Sequence, residues 1–220
     1  MNMKRTALKK KLTKGKVCKN CKNKFDQIRF GQVVCGYKCA VTQGLKLISK
    51  EEKATAKAQR RYIKAEKEKI KTLSQLKNDL QVIVNHIARL IDNGYGCISC
   101  GGNGKMSGGH YWAVGGHDQL RFNLHNIWSQ DFVCNNHKGG APREYIQAIQ
   151  TIWGDACTEY LKNGMRVKYK NLRFNRQMIQ DAIIIARQER NRLKKLDKQY
   201  FQGFRWAVRT EINDKIGIYL

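Results

Sequence analysis

Four cysteines within the first forty residues constrain this chain more than anything else in it. Cys18-x2-Cys21 is followed, after thirteen residues, by Cys35-x3-Cys39. Each close pair can turn a knuckle that aims two thiolates at one ion, and four thiolates close a tetrahedral structural zinc site. The competing reading, four reduced and buried cysteines, needs a core this short segment cannot build. Phe25, Ile28, Phe30, Val33 and Val34 lie between the pairs and are expected to form a small hairpin. The role expected of the module is to shape a surface.

That surface is basic. The 220 residues carry 43 Lys and Arg against 17 Asp and Glu, a net charge of +26. A polyanion answers such an excess, because each neutralised phosphate releases condensed counterion. DNA, RNA and an anionic membrane surface stay open on charge alone, and so does a merely solvated protein. Residues 1–50 hold 14 Lys/Arg and one acid, residues 161–200 hold 12 and three, while residues 95–150 hold only four and three. Two basic arms therefore flank a near-neutral centre: the arms grip phosphates and the centre does chemistry. No apolar run reaches the roughly 18 residues of a membrane span, and the basic N-terminus lacks a secretory apolar stretch, so no membrane partner and a cytoplasmic location are expected. There the eight cysteines are expected to be reduced.

The chain reads as α+β and mostly helical. Residues 1–47 are a basic tail, mobile at 1–16, and the four-cysteine finger. Residues 48–93 are one long helix or two, basic first and amphipathic later, where Leu73, Leu76, Leu80, Ile83, Val84, Ile87, Leu90 and Ile91 recur at helical spacing. That stripe is either the chain's own core or the interface of a homodimer. Asn93-Gly94 is the expected helix end. Residues 94–153 are Gly-rich strands and loops, then a helix opened by Pro142. Residues 154–220 are a basic helical region with a helix near 175–199; residues 200–220 have no assigned structure.

The centre holds the chemistry-bearing groups. Cys97-x2-Cys100 is followed by Gly109-His110-Tyr111, Arg121-Phe122-Asn123, Asn126 and Cys134-Asn135-Asn136-His137-Lys138. A hairpin carrying a His, followed by a helix that returns an Asn or His, can hold a general base beside a divalent metal. An imidazole can deprotonate water near neutral pH, and the metal stabilises charge on a phosphate. Taken alone, His110 reads as a hydrogen-bonded hairpin residue before it reads as a catalytic one; its position between the cysteine pair and Cys134-Asn135-Asn136-His137-Lys138 reverses that order. His117 and His125 read as surface or supporting groups, Cys157 as a small buried apolar residue, Trp112 and Trp128 as core, and Tyr111 as packing.

In this order the residues resemble the HNH endonuclease superfamily, with its ββα-metal site, and more closely the NinG (Rap) recombination proteins of lambdoid phages. The resemblance rests on the N-terminal cluster, the long basic helix, CISCG, GHY, QLRFN, NI and CNxHK, and runs from about Cys18 to about Leu196. It implies a phage recombination nuclease that hydrolyses phosphodiesters of branched DNA, such as Holliday junctions or D-loops, with Mg2+ or Mn2+. His110 would be the general base, and Asn126 would orient it or brace the hairpin. Asn135 and His137 would hold the catalytic metal, and Arg121 and Lys138 would meet phosphate. Arg60, Arg61 and Lys64 would track the DNA backbone or simply solvate their helix.

Two departures follow. Many HNH sites carry an Asp just before the base, where this chain has Gly109, so His137 or Asp118 would have to substitute. The second CxxC is incomplete, with Asp131 three residues before Cys134. Either Cys97, Cys100, Cys134 and Asp131 hold a second zinc, or that zinc is weak or absent and Trp112, Phe122, Ile127 and Phe132 hold the hairpin by packing. Two other expectations stay open: a non-catalytic branched-DNA-binding mediator with a degenerate HNH fold, and an RNA-binding zinc protein.

Overall fold

The computed structural model describes residues 12–196, 201 and 203–219. Two compact units, Met1–Ile70 and Lys71–Leu220, divide the chain.

In the first unit β1 (Lys16–Val17) and β2 (Lys24–Phe25) pair antiparallel, Lys16 opposite Phe25. The hairpin thus wraps the first cysteine pair instead of filling the gap between the pairs. Ile28 and Phe30, expected in it, are exposed. The knuckle closes through the Lys22 amide to the Cys18 carbonyl at 3.0 Å, with Lys22 itself at φ 67. Such left-handed backbone costs a non-glycine residue about 1–2 kcal/mol. α1 (Tyr37–Ile70) begins inside the expected finger and carries Cys39 in its first turn. Its Ala, Lys, Glu and Gln content favours helix along its whole length, yet none of its 34 residues is buried. The expected basic tail falls largely on residues 1–11, outside the described residues.

The second unit holds the core. The expected long helix is broken at Thr72. Its side chain accepts the Gln75 amide while Gln75 returns a bond to the Thr72 amide, a capping box that starts α2 (Leu73–Ile91). Leu76, Leu80, Ile83, Val84, Ile87 and Ile91 are buried, so the apolar stripe is spent on the chain's own core and offers no dimer face. α2 packs along α5 (Arg176–Leu193) and under a second hairpin, β3 (Met106–His110) with β4 (Ile127–Asp131), in which His110 lies opposite Ile127. The 111–126 connection contains two short 3-10 turns. A wide turn, Val133–His137, leads from β4 to α3 (Pro142–Glu159), which Pro142 opens as expected and Gly154 (φ 79) interrupts. A second wide turn (Tyr160–Gly164) and α4 (Met165–Lys168) precede α5, capped by Asn175.

Residues 205–216, unassigned from sequence, form α6 (Arg205–Ile216). Its buried face includes Arg205, Arg209 and Asn213 beside Val208, Ile212 and Ile216. Arg209 is fully buried, 3.4 Å from the Trp128 ring centre, and donates to Asp92 at 2.7 Å. Asp92 also accepts Arg205 at 3.1 Å and the Ser129 amide at 2.7 Å. One carboxylate at the end of α2 therefore ties α6 to β4. No helix among the described residues is long and apolar enough to cross a membrane.

Candidate active site and metal centres

The first cluster draws together as its spacing predicts. The sulfurs of Cys18, Cys21, Cys35 and Cys39 all lie within 4.8 Å of one another. Burial acts to raise the Cys18 pKa, but amides of Cys21, Cys35 and Asn20 point at its sulfur and bring it down to about 6. Hydrogen bonding to Cys39 and Cys21 pushes Cys35 up to about 12. Four sulfurs around one point, with a thiolate already favoured, is a donor set that zinc fits.

The second cluster contains three sulfurs, Cys97, Cys100 and Cys134, again within 4.8 Å. Cys97 and Cys134 are buried and Cys100 is exposed. Burial, then its sulfur neighbours, raise Cys134 to about 12, while the Gly102 amide lowers Cys100. Asp131 stands outside this group. Its Oδ1 accepts the Val133 amide at 2.8 Å, and its charge is felt at Cys100. Of the residues expected to hold the hairpin by packing, Phe122 and Ile127 are fully buried and Trp112 half-buried, but Phe132 is exposed.

His110 ends β3, half-buried against the polar side of α2. Its Nε2 lies 3.0 Å from the Arg121 carbonyl and 3.3 Å from Gln81 Nε2. The Gln81 amide is oriented by Arg121 Nε, which donates to its oxygen at 3.0 Å, and its nitrogen donates to Asn85 Oδ1 at 2.6 Å. A carbonyl can only accept, so the shorter contact, to Arg121, favours the tautomer with the proton on Nε2 and the lone pair on Nδ1. Burial, together with the charge of Arg121, holds its pKa below the ordinary histidine value. It is neutral at pH 7.

Asn126 is fully buried and braces the 111–126 connection: Oδ1 accepts the Trp112 amide at 2.8 Å, and Nδ2 donates to the carbonyls of Trp112 and Leu120 at 3.0 and 3.2 Å. Tyr145 beneath it places its hydroxyl 3.3 Å from the Gly109 carbonyl. Asn135 and His137 lie on the wide turn after β4, not on α3. Asn135 donates to Ser107 Oγ at 3.0 Å, while the exposed His137 packs edge-on against Phe132. Arg121 is held by Gln81 and by Asn78 at 2.7 Å; Lys138 is exposed, as are Arg60, Arg61 and Lys64 on α1.

Gly109 has a packing reason. A Cβ there would meet the Gln130 amide oxygen and stand 2.8 Å from Gln130 Cβ. Gln130 is fully buried, and donates to Ser99 Oγ at 2.7 Å and to the Gly140 carbonyl at 2.6 Å. It links the Cys97–Cys100 knuckle to the hairpin, and an acid at 109 would displace it. Asp118 does not replace that acid, being paired with Lys77 and lying 3.9 Å from Arg121.

Two histidines part company. His117 is half-buried at the edge of Trp112, whereas His125, expected as a surface or supporting group, is buried and stacked on Trp206 at 4.4 Å. Burial, then Arg209, lowers its pKa to about 4. Tyr111 packs on Trp112 and Tyr145, Trp128 is core, and Cys157 is only half-buried. Sequence reasoning missed Asn78, Gln81 and Gln130. The signal for the first two was present: amides at 78, 81 and 85 share one side of α2, beside its apolar stripe.

Comparison with known proteins bears on the same residues. The family model described as "Bacteriophage Lambda NinG protein" matches residues 9–199. The ninG protein of Escherichia phage lambda is 33% identical over 168 residues, covering 69% of this chain and 82% of that protein. The ninG protein of Salmonella phage P22 is 35% identical over 168 residues, covering 69% and 83%. That of Escherichia phage 933W is 36% identical over 92 residues, covering 40% and 46%. No solved structure matches the chain. The chain belongs to the NinG family of phage proteins.

Proposed function

We propose that this NinG protein is an HNH-like endonuclease of DNA recombination, cutting or nicking branched DNA such as Holliday junctions or D-loops in the host cytoplasm. The observation that carries the reading is the placement of His110: its Nε2 lies 3.0 Å from the Arg121 carbonyl, which favours the tautomer that leaves Nδ1 to accept a proton. The order strand, braced connection, strand, turn, helix is what an HNH-like ββα site requires.

His110 Nδ1 would take a proton from the water that attacks phosphorus, and the leaving deoxyribose oxygen would be protonated from solvent. Arg121, locked to α2, would face the phosphate beside it, with Lys138 on the next turn. Asn126 keeps the His110 strand and the Arg121 segment in register. Structural zinc fits the four-cysteine cluster, and the three-sulfur cluster fits zinc with one further donor, which Asp131 could supply by a small shift. A catalytic Mg2+ or Mn2+ fits less well. Hard cations favour carboxylate oxygens, and among the described residues only the two cysteine groups bring three or more His, Cys, Asp or Glu donors together. No step is therefore derived through such an ion, and Asn135 and His137 remain the residues to test for it. Two cuts across a junction need two sites, so a pair of copies would serve the reaction.

Gly109, with Gln130 in the place of an acid, favours a second reading: a DNA-binding recombination mediator without catalysis. Incubating a four-way junction and a linear duplex with Mg2+, Mn2+ or EDTA separates the two. Metal-dependent nicks lost in His110→Ala, with gel retardation kept, support the nuclease. Retardation without nicks in any metal supports the mediator.

A further inference from the structure

The 111–126 connection has an outer side that the proposed chemistry does not use. There His117, Gln119, Asn163, Arg166, Val167 and Lys170 line an open groove of about 460 Å3. Its wall is rigid. The Trp112 indole donates to the Leu161 carbonyl at 2.7 Å, the Arg166 guanidinium lies over that ring at 4.5 Å, and His117 meets its edge at 4.7 Å.

Its charge has one sign. No carboxylate lines the groove among the described residues, and Arg166 and Lys170 are exposed. The neighbouring acids are already engaged: Glu159 accepts Asn163 at 2.8 Å, and Asp118 pairs with Lys77. Burial and the nearby Arg166 charge hold the His117 pKa below its ordinary value. Arg166 lies on α4 and Lys170 two residues beyond its end. Two cations in a row suit a strand of phosphates better than a single small anion. Trp112 is capped on its face by Arg166, so the groove offers charge and not a stacking platform. It is built on the connection that begins at His110 and is closed by Asn126.

We infer that this groove is a second DNA-backbone site, holding the phosphates of a neighbouring strand of a branched substrate while His110 faces the strand to be cut. The inference rests on the proposed binding of DNA but not on catalysis. Its test uses the full-length, zinc-loaded chain with no added Mg2+, Mn2+ or chelator, and a four-way junction titrated at several salt concentrations. R166E/K170E is compared with R187E/K195E, which reverses two exposed charges on and just beyond α5. The groove pair should weaken junction binding at least tenfold more than the control pair. It should also reduce the log–log salt slope by about 1–2, at about 0.9 for each phosphate no longer neutralised. Arg166→Lys should retain most of the affinity. Equal losses in both pairs, an unchanged slope, or tighter groove-dependent binding to structured RNA would overturn the inference. If the groove pair loses binding but the wild type never nicks, the groove stands and the nuclease reading falls. If the wild type nicks and the groove pair binds normally, the reverse holds.

Discussion

The two cysteine clusters use metal-ligand chemistry in opposite structural settings. Around the first there is almost nothing else: within the described part of Met1–Ile70, only Cys18 and Gln27 are buried, and α1 buries no residue. The second, whose Cys97 and Cys134 form a small cluster with Ala141 and Met106, belongs to a unit with a continuous core that includes Leu80, Ile87, Phe122, Ile127, Trp128 and Ile149, with Asp92 clamped by two arginines. The first cluster takes the place of a core; the second is attached to one. A unit without apolar burial has to draw its folding energy from its metal, whereas the centre can hold its geometry through packing and buried ion pairs.

The largest effect should come from the first cluster. Cys35→Ser, or a strong chelator, removes a binding energy of about 10–16 kcal/mol that is folding energy in such modules. Hydrogen exchange should show loss of protection over residues 12–36, with Lys71–Leu220 unchanged. Protection that survived would break the comparison. Next comes Arg209→Met, which leaves Asp92 buried with one partner fewer. It should destabilise the second unit by about 3–5 kcal/mol. At about 2–4 °C per kcal/mol that lowers its melting temperature by roughly 6–20 °C. Smaller again is Cys134→Ser. Zinc bound by the wild-type second cluster should no longer be retained, measured by metal release, yet the second unit should keep its tryptophan signal and melt only a few degrees lower. A drop larger than that of Arg209→Met would mean that the metal, not the core, organises the centre.

The sequence showed what periodicity and spacing can encode. The four-cysteine cluster, the α2 stripe, the Pro142 helix and the α5 apolar face (Ile179, Ala182, Ile183, Ala186) are local patterns, and the fold uses each as read. The hidden parts depend on partners distant in sequence. α6 has only a narrow apolar row, Val208, Ile212 and Ile216, and its identity as a buried face was masked because Arg205, Arg209 and Asn213 also point inward, to meet Asp92, Leu124 and Asn123. Whether His125 was a surface or a supporting group stayed open for the same reason, its stacking partner Trp206 lying on that helix. Gly109 looked like a missing ligand until Gln130, across the hairpin, filled the space. The break between α1 and α2 was legible in the Thr72-x-x-Gln75 capping pattern but was obscured by helix-favouring residues on both sides.

The role of His110 is tested most directly by the pH dependence of single-turnover junction nicking, wild type against His110→Ala. A base whose pKa is lowered by burial is deprotonated above that pKa. The rate should therefore climb as pH rises toward a midpoint below the ordinary histidine value of about 6.5 and then hold level through neutrality. His110→Ala should lose that acid limb together with at least a hundredfold in rate, within the ~10²–10⁴ that general base catalysis supplies. The same limb and the same rate in both proteins would contradict the account.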